Sequence, residues 1–588
     1  MPYVPLDIAP GIVKTRSAHA ARGRYVDSDK IRFINGKPEK WAGWTQLISG
    51  TLLGMCRGVL SWANLNAVQN LALGTHLKLY AIEGGETLVD ITPIRSTGTL
   101  GNNPFSTTQN SPVVAVNHSN HGAIQNDFVT YAGATAVAGL TLNGQFQITS
   151  FIDNNNYQII ASSSANATTT GGGNAVTFSY QINTGSASGV IGLGWGAGTW
   201  GQSTWGTPRT SGGVALDPRI WFLSNYGADL LSLPAGGGLY LWDQPTQAQA
   251  VVVANAPTSA RAMFVTPERF VFLLGTTTPM TVQWPDQNDI TNWTPAANNT
   301  ANIRTLQNGS KLIAGTALTD FVSLVWSDTS LYVFQYSGSD FVYDDIGAGK
   351  ACGLIGPLAQ CVADNVAYWM SGHDFHLYNG NVGPIQNAED VRAFVFNDLD
   401  PAKALLSWAV YEQATRQIRW HYCSAGSVNP NKYVDVSLID YSWTVGTIDR
   451  TAGAVFRPND GEPVMVDSSG LVYLHGNGLD ANGSAINSFV KFGLYALGEG
   501  EQNVDVFGFV PDTERQTGPV TIEMYSLDRP NSSTQLDSAT LTFNVGDDGE
   551  DVRMQARHFS FTLRSNVLGG DFRLGIPAVH IEPAGERE

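Results

Sequence analysis

The stretch LYVFQYSG, Leu331 to Gly338, is a run of apolar, β-branched and aromatic side chains that stops at a Ser-Gly pair, the pattern of an antiparallel strand entering a turn. Related runs recur as LYAIEGG at Leu79, LYLWDQ at Leu239, TVQWPD at Thr281, HLYNGN at His376, YVDVSLIDYSW at Tyr433 and VYLHGNG at Val472. From Leu239 to Val472 the 233 positions divide into five intervals of about 47 residues, close to the roughly 40 to 50 residues of one four-stranded propeller blade. Helical periodicity is nearly absent. The expected fold is all-β: an irregular β-propeller of about six or seven blades, with an inserted small β domain and a C-terminal β-strand region.

The interval from Leu79 to Leu239 is far too long for one blade. Residues 105–183 are rich in Asn, Thr, Ser, Gly and Ala and alternate in VVAVNH, DFVTYAG, GQFQITSFID, NYQIIAS and AVTFSYQI, which reads as an inserted β domain. The expected division is therefore 1–104 as the N-terminal part of the propeller, 105–183 as the insert, 184–488 as the remaining propeller, and 489–588 as a C-terminal β-sandwich or ring-closing strands. Between Asn387 and Trp408, Asn387 is a candidate cap for a short helix opening with Glu389 and Asp390, and Pro401 interrupts its continuation.

The 588 residues carry 33 basic and 50 acidic side chains, a formal charge of −17. Sequence-independent DNA affinity comes from Lys and Arg neutralising phosphates, so a duplex-gripping surface is not expected. A conduit that lets DNA pass without holding it remains compatible. No basic region followed by an apolar core marks a secretory signal, and no apolar run is long enough to span a membrane. Cys56, Cys352, Cys361 and Cys423 lack CxxC spacing and fit reduced thiols, with a Cys352–Cys361 pairing left open.

Motifs with chemical potential are weak. Gly196 to Gly201 matches GxGxxG but lacks the strand and helix that would present pyrophosphate to a helix N-terminus. Gly349-Lys350 lacks the rest of a phosphate loop. His373 and His376, three apart on a strand, would point to opposite faces and cannot easily share a metal. His118 and His121 suit hydrogen-bonding roles. Asp547, Asp548, Glu550 and Asp551 surround Gly549 without the ligand series of a calcium loop. As propellers also host glycosidases, Asp344-Asp345, Asp286 with Asp289, and Asp398 with Asp400 are candidate acid-base pairs by composition alone. No catalytic, cofactor-binding or metal-ligating residue is assigned, and no enzyme activity is expected. Trp195, Trp200 and Trp205 stand at a five-residue step in GLGWGAGTWGQSTWGTPR. They are candidate interface anchors between subunits or domains, or else a cover over the insert-propeller junction.

The blocks RYVDSDKIRFINGKPEKWAGWTQL, GTHLKLYAIEGG, VDITPIR, GLGWGAGTWGQSTWGTPR, RQIRWHYCSAGSVNPNKYVDVSLIDYSWTVGTIDRTAG and HFSFTLRSNVLGGDFRLGIP resemble, in this order, the tail nozzle or packaged-DNA stabilisation family of short-tailed bacteriophages. HGAIQNDFVTYAG and LNGQFQITSFIDNNNYQII are similar to a small β module of phage tail proteins. Arg419-Trp420-His421 departs from the more uniformly aromatic strand that the resemblance leads one to expect there.

The resemblance implies a homo-oligomer, a sixfold ring at the distal end of the virion tail, assembled in the host cytoplasm below an upstream adaptor ring. Such a ring would retain packaged DNA and conduct it at ejection without specific binding, with tail fibres or spikes and the host cell surface as further partners. Six copies at −17 would carry about −102 formal charges, and field focusing in a bore so lined would keep a polyanion centred. Readings from other classes are a tail-tip receptor or glycan-binding module and a propeller-fold polysaccharide hydrolase.

Overall fold

A computed structural model describes residues 3–84, 87–189, 217–244, 246–338, 342–456, 461–497, 502–530, 532 and 534–584. Two compact units emerge, residues 52–305 and residues 1–51 with 306–588. The chain is all-β and propeller-like: seven four-stranded antiparallel sheets of the blade type lie among the described residues.

The unit of residues 52–305 contains three blades, at 56–90, 221–252 and 262–305, and the insert. The other contains four, at 312–350, 360–384, 408–447, and 452–475 joined by Trp44–Gln46. Every one of the seven repeated runs is the third strand of a blade, from Leu79–Glu83 in the first to Val472–His475 in the seventh. The repeat is legible because most of these third strands are buried along most of their length and begin after a tight turn. Ser327 and Ser371 build two such turns, their hydroxyls accepting from Ser330 N at 2.9 Å and Asp374 N at 3.0 Å, the side-chain-to-backbone bonding that favours Ser at turns.

Neighbouring blades pack through tryptophan. Trp221 at the start of the second blade lies against Gly58 and Gly74 of the first, where any Cβ on Gly74 would run into the indole. Its Nε1 donates to Thr75 O at 2.7 Å, so the largest apolar side chain is buried without orphaning its N–H. Trp408 and Trp420 of the sixth blade likewise donate to Arg450 O at 3.1 Å and Ala359 O at 3.2 Å.

Residues 3–43 do not enter a blade. Tyr3–Pro5 pairs with Ala578–Pro583, Arg24–Asp29 with Ser488–Phe492, and Lys37–Lys40 touches Asp571–Leu574. The N-terminal strands are thus shared with the C-terminal sheets, and 1–104 is not one stretch of propeller. Only Trp44–Gln46 joins a blade, supplying the fourth strand of the seventh in the register His475↔Trp44 and Tyr473↔Gln46. That pairing covers an edge that Val472–His475 would otherwise expose.

The insert is an eight-stranded sheet that begins at Ile94–Thr99 and ends at Thr177–Gln181, eleven residues earlier in the chain than the composition shift at 105 indicates. Lys78 of the first blade ties it down, with Nζ 2.6 Å from Asp90 Oδ2 and 2.5 Å from Gln145 Oε1. Asn387 is not the helix cap. The helix Glu389–Asp398 follows Ala388, while Asn387 has φ +58° and donates its side chain to Tyr441 O at 3.1 Å. Pro401 opens a 3-10 turn, Pro401–Leu406, capped by Asp400. None of the four cysteines is in a disulfide.

Candidate functional site

Trp195, Trp200 and Trp205, and the GxGxxG match beside them, lie outside the described residues. The other candidates fall into separate places. Asp286 Oδ1 accepts from Thr300 Oγ1 at 2.6 Å and Thr300 N at 2.9 Å, and Asp289 Oδ1 accepts from Thr291 Oγ1 at 2.6 Å. These bonds, led by the threonine hydroxyls, hold both carboxyls below the usual carboxylate range, which suits turn building and not proton donation. Asp398 takes Lys432 Nζ at 2.8 Å, while Asp400 caps Ala402 N at 2.9 Å. Asp344 and Asp345 are successive residues of the strand Tyr343–Lys350, so their side chains leave opposite faces. None of the three pairs converges on a cleft.

Gly349 and Lys350 sit on that same strand, paired with Leu331 and Ser330. His376 packs against Trp369 with ring centroids 5.5 Å apart and planes tilted by 31°, and His373 lies in the exposed turn before it. Asp547 caps Asn544 N at 2.6 Å. Among the described residues no group of three His, Cys, Asp or Glu side chains is placed to hold a metal ion.

The densest chemistry is a charge centre in the four-blade unit, built on Arg419. Gln417–Tyr422, the second strand of the sixth blade, is buried at every position, so an arginine there must find its counter-charges inside. Asp435 stands directly opposite in the strand register. Arg419 Nε reaches Asp435 Oδ1 at 2.7 Å, Nη2 reaches Oδ2 at 3.0 Å, and Nη1 reaches Glu412 Oε1 at 2.5 Å. The guanidinium also lies 3.5 Å from the Trp41 ring centroid. Burial pushes the Asp435 carboxyl up and Arg419 opposes it, while the two carboxylates hold Arg419 above its ordinary value. The bidentate fork is the geometry of a guanidinium on an ionised carboxylate, so the pair is charged.

Two further polar groups adjoin it. Arg450 Nε donates to His475 Nε2 at 3.0 Å, which requires that nitrogen to be bare. Burial, then Arg450, keeps His475 far below the ordinary histidine range, and burial lowers Arg450 to about 10. His421 is fully buried and stacks on Trp408 at 4.0 Å and 3°, with no partner on either ring nitrogen among the described residues. Glu39 is 2% exposed and gathers Arg32 at 2.8 Å, Arg573 and Arg515. Burial raises its pKa but the arginines outweigh this and hold it below the usual carboxylate range.

A cleft lined by Arg32, Trp41, Glu412, Arg419, Glu462 and His475 encloses about 10 Å3, room for about one water and not for a sugar ring or nucleotide. The centre is suited to joining strands: Arg419 and its two carboxylates are committed to one another, Arg450 is committed to His475, and the histidines are neutral. The departure at Arg419-Trp420-His421 marked one half of it, and the signal for the other half is the lone acid in the apolar run YVDVS. What the residue string lacks is the register that sets Asp435 against Arg419.

No family model matches the chain, and no curated protein matches it. Among solved structures it is similar to the WD40 β-propeller domain of Doa1, with 14% identity over 43% of this chain and 91% of that one, at a TM-score of 0.26. It is also similar to the endosialidase of phage phi92, with 9% identity over 92% of this chain and 58% of that one, at a TM-score of 0.15. A third likeness is to the exo-β-1,3-galactanase of Phanerochaete chrysosporium, with 10% identity over 60% of this chain and all of that one, at a TM-score of 0.22. The sheet topology described above makes the chain an all-β, propeller-like protein.

Proposed function

We propose that this chain is a structural subunit of a short-tailed phage tail, a nozzle that assembles as a homohexameric ring, retains the packaged genome and conducts it at ejection. The observation that carries the reading is the ordered series of resembling blocks along the chain. The first of them, residues 24–47, runs in the four-blade unit through Arg24–Asp29, Ile31–Ile34 and Lys37–Lys40 to the closing strand Trp44–Gln46. A segment that ties terminal sheets to a blade is one whose residues are set by many partners at once. Two properties agree with a conduit. Hydrogen-bonded four-stranded sheets resist deformation under load, and a formal charge of −17 disfavours adhesion to a polyanion at close range, within the roughly 8–10 Å that salt leaves unscreened.

The test is to image particles carrying this chain along their symmetry axis. The reading expects a six-membered ring beneath the adaptor, with a bore that admits duplex DNA. Particles lacking the chain should lose their genome after packaging. A monomer attached to the side of the tail, with genome retention unchanged when it is removed, would overturn the proposal in favour of a receptor-binding role.

A further inference from the structure

The apolar core of the insert contains a polar chain. Tyr131, Tyr157 and Tyr180 are each at most 1% exposed and sit among Val114, Val129, Ile148 and Ile159. Their phenols meet in series: Tyr131 with Tyr157, Tyr157 with Tyr180 at 2.7 Å, and Tyr180 with His118 Nδ1 at 2.8 Å. Among the described residues the three hydroxyls have no other hydrogen-bond partner.

Three contacts share three hydroxyl protons, so every contact is a hydrogen bond only when all protons run one way. That order is Tyr131 to Tyr157 to Tyr180 to His118, and it requires a bare Nδ1, the neutral imidazole with its proton on Nε2. A proton taken from solvent onto Nδ1 puts four donors on three contacts. His118 must then donate to Tyr180, each hydroxyl rotates while keeping its own proton, and the Tyr131 hydroxyl ends with no acceptor. A buried donor without an acceptor carries its full desolvation cost.

The groups around His118 do not compensate. His121, on the loop after it, has ring centroids 6.4 Å away and its ring nitrogens are already committed, Nδ1 accepting from Ala123 N at 3.0 Å and Nε2 donating to Asp153 O at 2.8 Å. From the strand Ile94–Thr99, Arg95 places its guanidinium 4.7 Å over the Tyr180 ring. Phe178 packs on His118 at 4.4 Å. The buried carboxylate nearby, Asp127, is committed to Thr184 N at 2.8 Å and Asn183 Nδ2 at 2.7 Å, and Asp153 caps Asn155 N at 2.7 Å. Burial lowers the His118 pKa, and His121 and Arg95 lower it further.

We propose that the insert is an acid-responsive module: protonation of His118 reverses the Tyr180, Tyr157, Tyr131 chain, strands the Tyr131 hydroxyl, and loosens the strands that carry these rings. This inference is independent of the function proposed above.

Hydrogen-exchange mass spectrometry on the full chain at pH 8 and pH 5, corrected for intrinsic exchange, tests it. Peptides covering Asn156–Ile160 and Thr177–Gln181 should lose protection roughly tenfold or more at the lower pH, with the third blade at 262–305 as the internal reference. His118→Gln offers an acceptor that does not titrate and should abolish the response. Tyr180→Phe keeps His118 but cuts it from the other two phenols, and should also flatten the response, which a histidine acting through burial alone would not do. Protection that is unchanged with pH in the native chain, or an acid response that persists in either variant, overturns the proposal. Should Tyr180→Phe fail to fold, the native chain and His118→Gln decide.

Discussion

Arg419 forks onto Asp435 across adjacent strands of the sixth blade, through two hydrogen bonds of 2.7 and 3.0 Å between residues that are each 1% exposed. Removing one member of such a pair leaves a buried charge uncompensated, whereas replacing all members by apolar side chains removes the desolvation cost with the attraction. Arg419→Met, which leaves the Asp435 and Glu412 carboxylates buried without their shared cation, is therefore expected to cost about 3–5 kcal/mol. The triple change of Arg419→Met, Asp435→Leu and Glu412→Leu should cost less than the single one. Urea unfolding of the native, single-variant and triple-variant proteins checks the order. A triple-variant loss larger than the single-variant loss would show that the three groups do not act as a unit.

Gly74 has no room for a side chain, because Trp221 occupies the space a Cβ would take. Gly74→Ala should destabilise by about 1–3 kcal/mol through overpacking, and Trp221→Ala by about 3–5 kcal/mol through the void it leaves. In the double variant the methyl no longer meets an indole, so its loss should fall short of the sum. Thermal melts of the full chain read this directly.

Glu39 is a carboxylate whose folded-state pKa lies below the ordinary 4.5, because Arg32, Arg573 and Arg515 outweigh its burial. A depressed carboxylate stabilises the fold fully above its unfolded value, and that contribution fades as pH falls through the folded one. Stability should therefore drop below about pH 4.5, and Glu39→Gln should show a lower plateau at neutral pH with a shallower acid slope. Chemical unfolding across pH 3 to 7 would contradict the assignment if both proteins lost stability in parallel.

His421 occupies a fully buried site with both ring nitrogens unpartnered by protein, flat against Trp408. Phenylalanine keeps the stack and removes two polar atoms. His421→Phe is expected to leave stability within about 1 kcal/mol of the native value or raise it. It should also weaken the acid sensitivity that a buried neutral histidine confers, since its folded pKa lies far below the ordinary 6.5 and protonation below that value pulls the chain toward unfolding. Melting temperatures at pH 5 and pH 8 separate the two effects, and a large loss at both would refute the reading.

The blades were readable because a third strand announces itself locally. Leu331, Leu239 and Val472 each open a run whose residue types and turn recur at blade spacing, and local propensity with a local turn is enough to make such a strand. The charge centre was half readable. Arg419 stood out in an apolar strand, but a lone arginine does not name its partner. Candidate acid pairs such as Asp286 with Asp289 were drawn from composition, and the structure places those carboxylates on their own turn threonines.

Residue types and spacing alone thus determined the all-β class, the third strand of every blade, the existence of an insert and the acidic balance, since each depends on neighbours a few positions away. Tertiary structure decided which distant positions meet: Trp44–Gln46 closing the seventh blade, Tyr3–Pro5 lying beside Ala578–Pro583, and three tyrosines lining up on His118. Those pairings join positions far apart in the chain, where loop-closure entropy rises only slowly with separation and so gives little preference among partners. The choice is made by burial and register, which exist only once the sheets have packed.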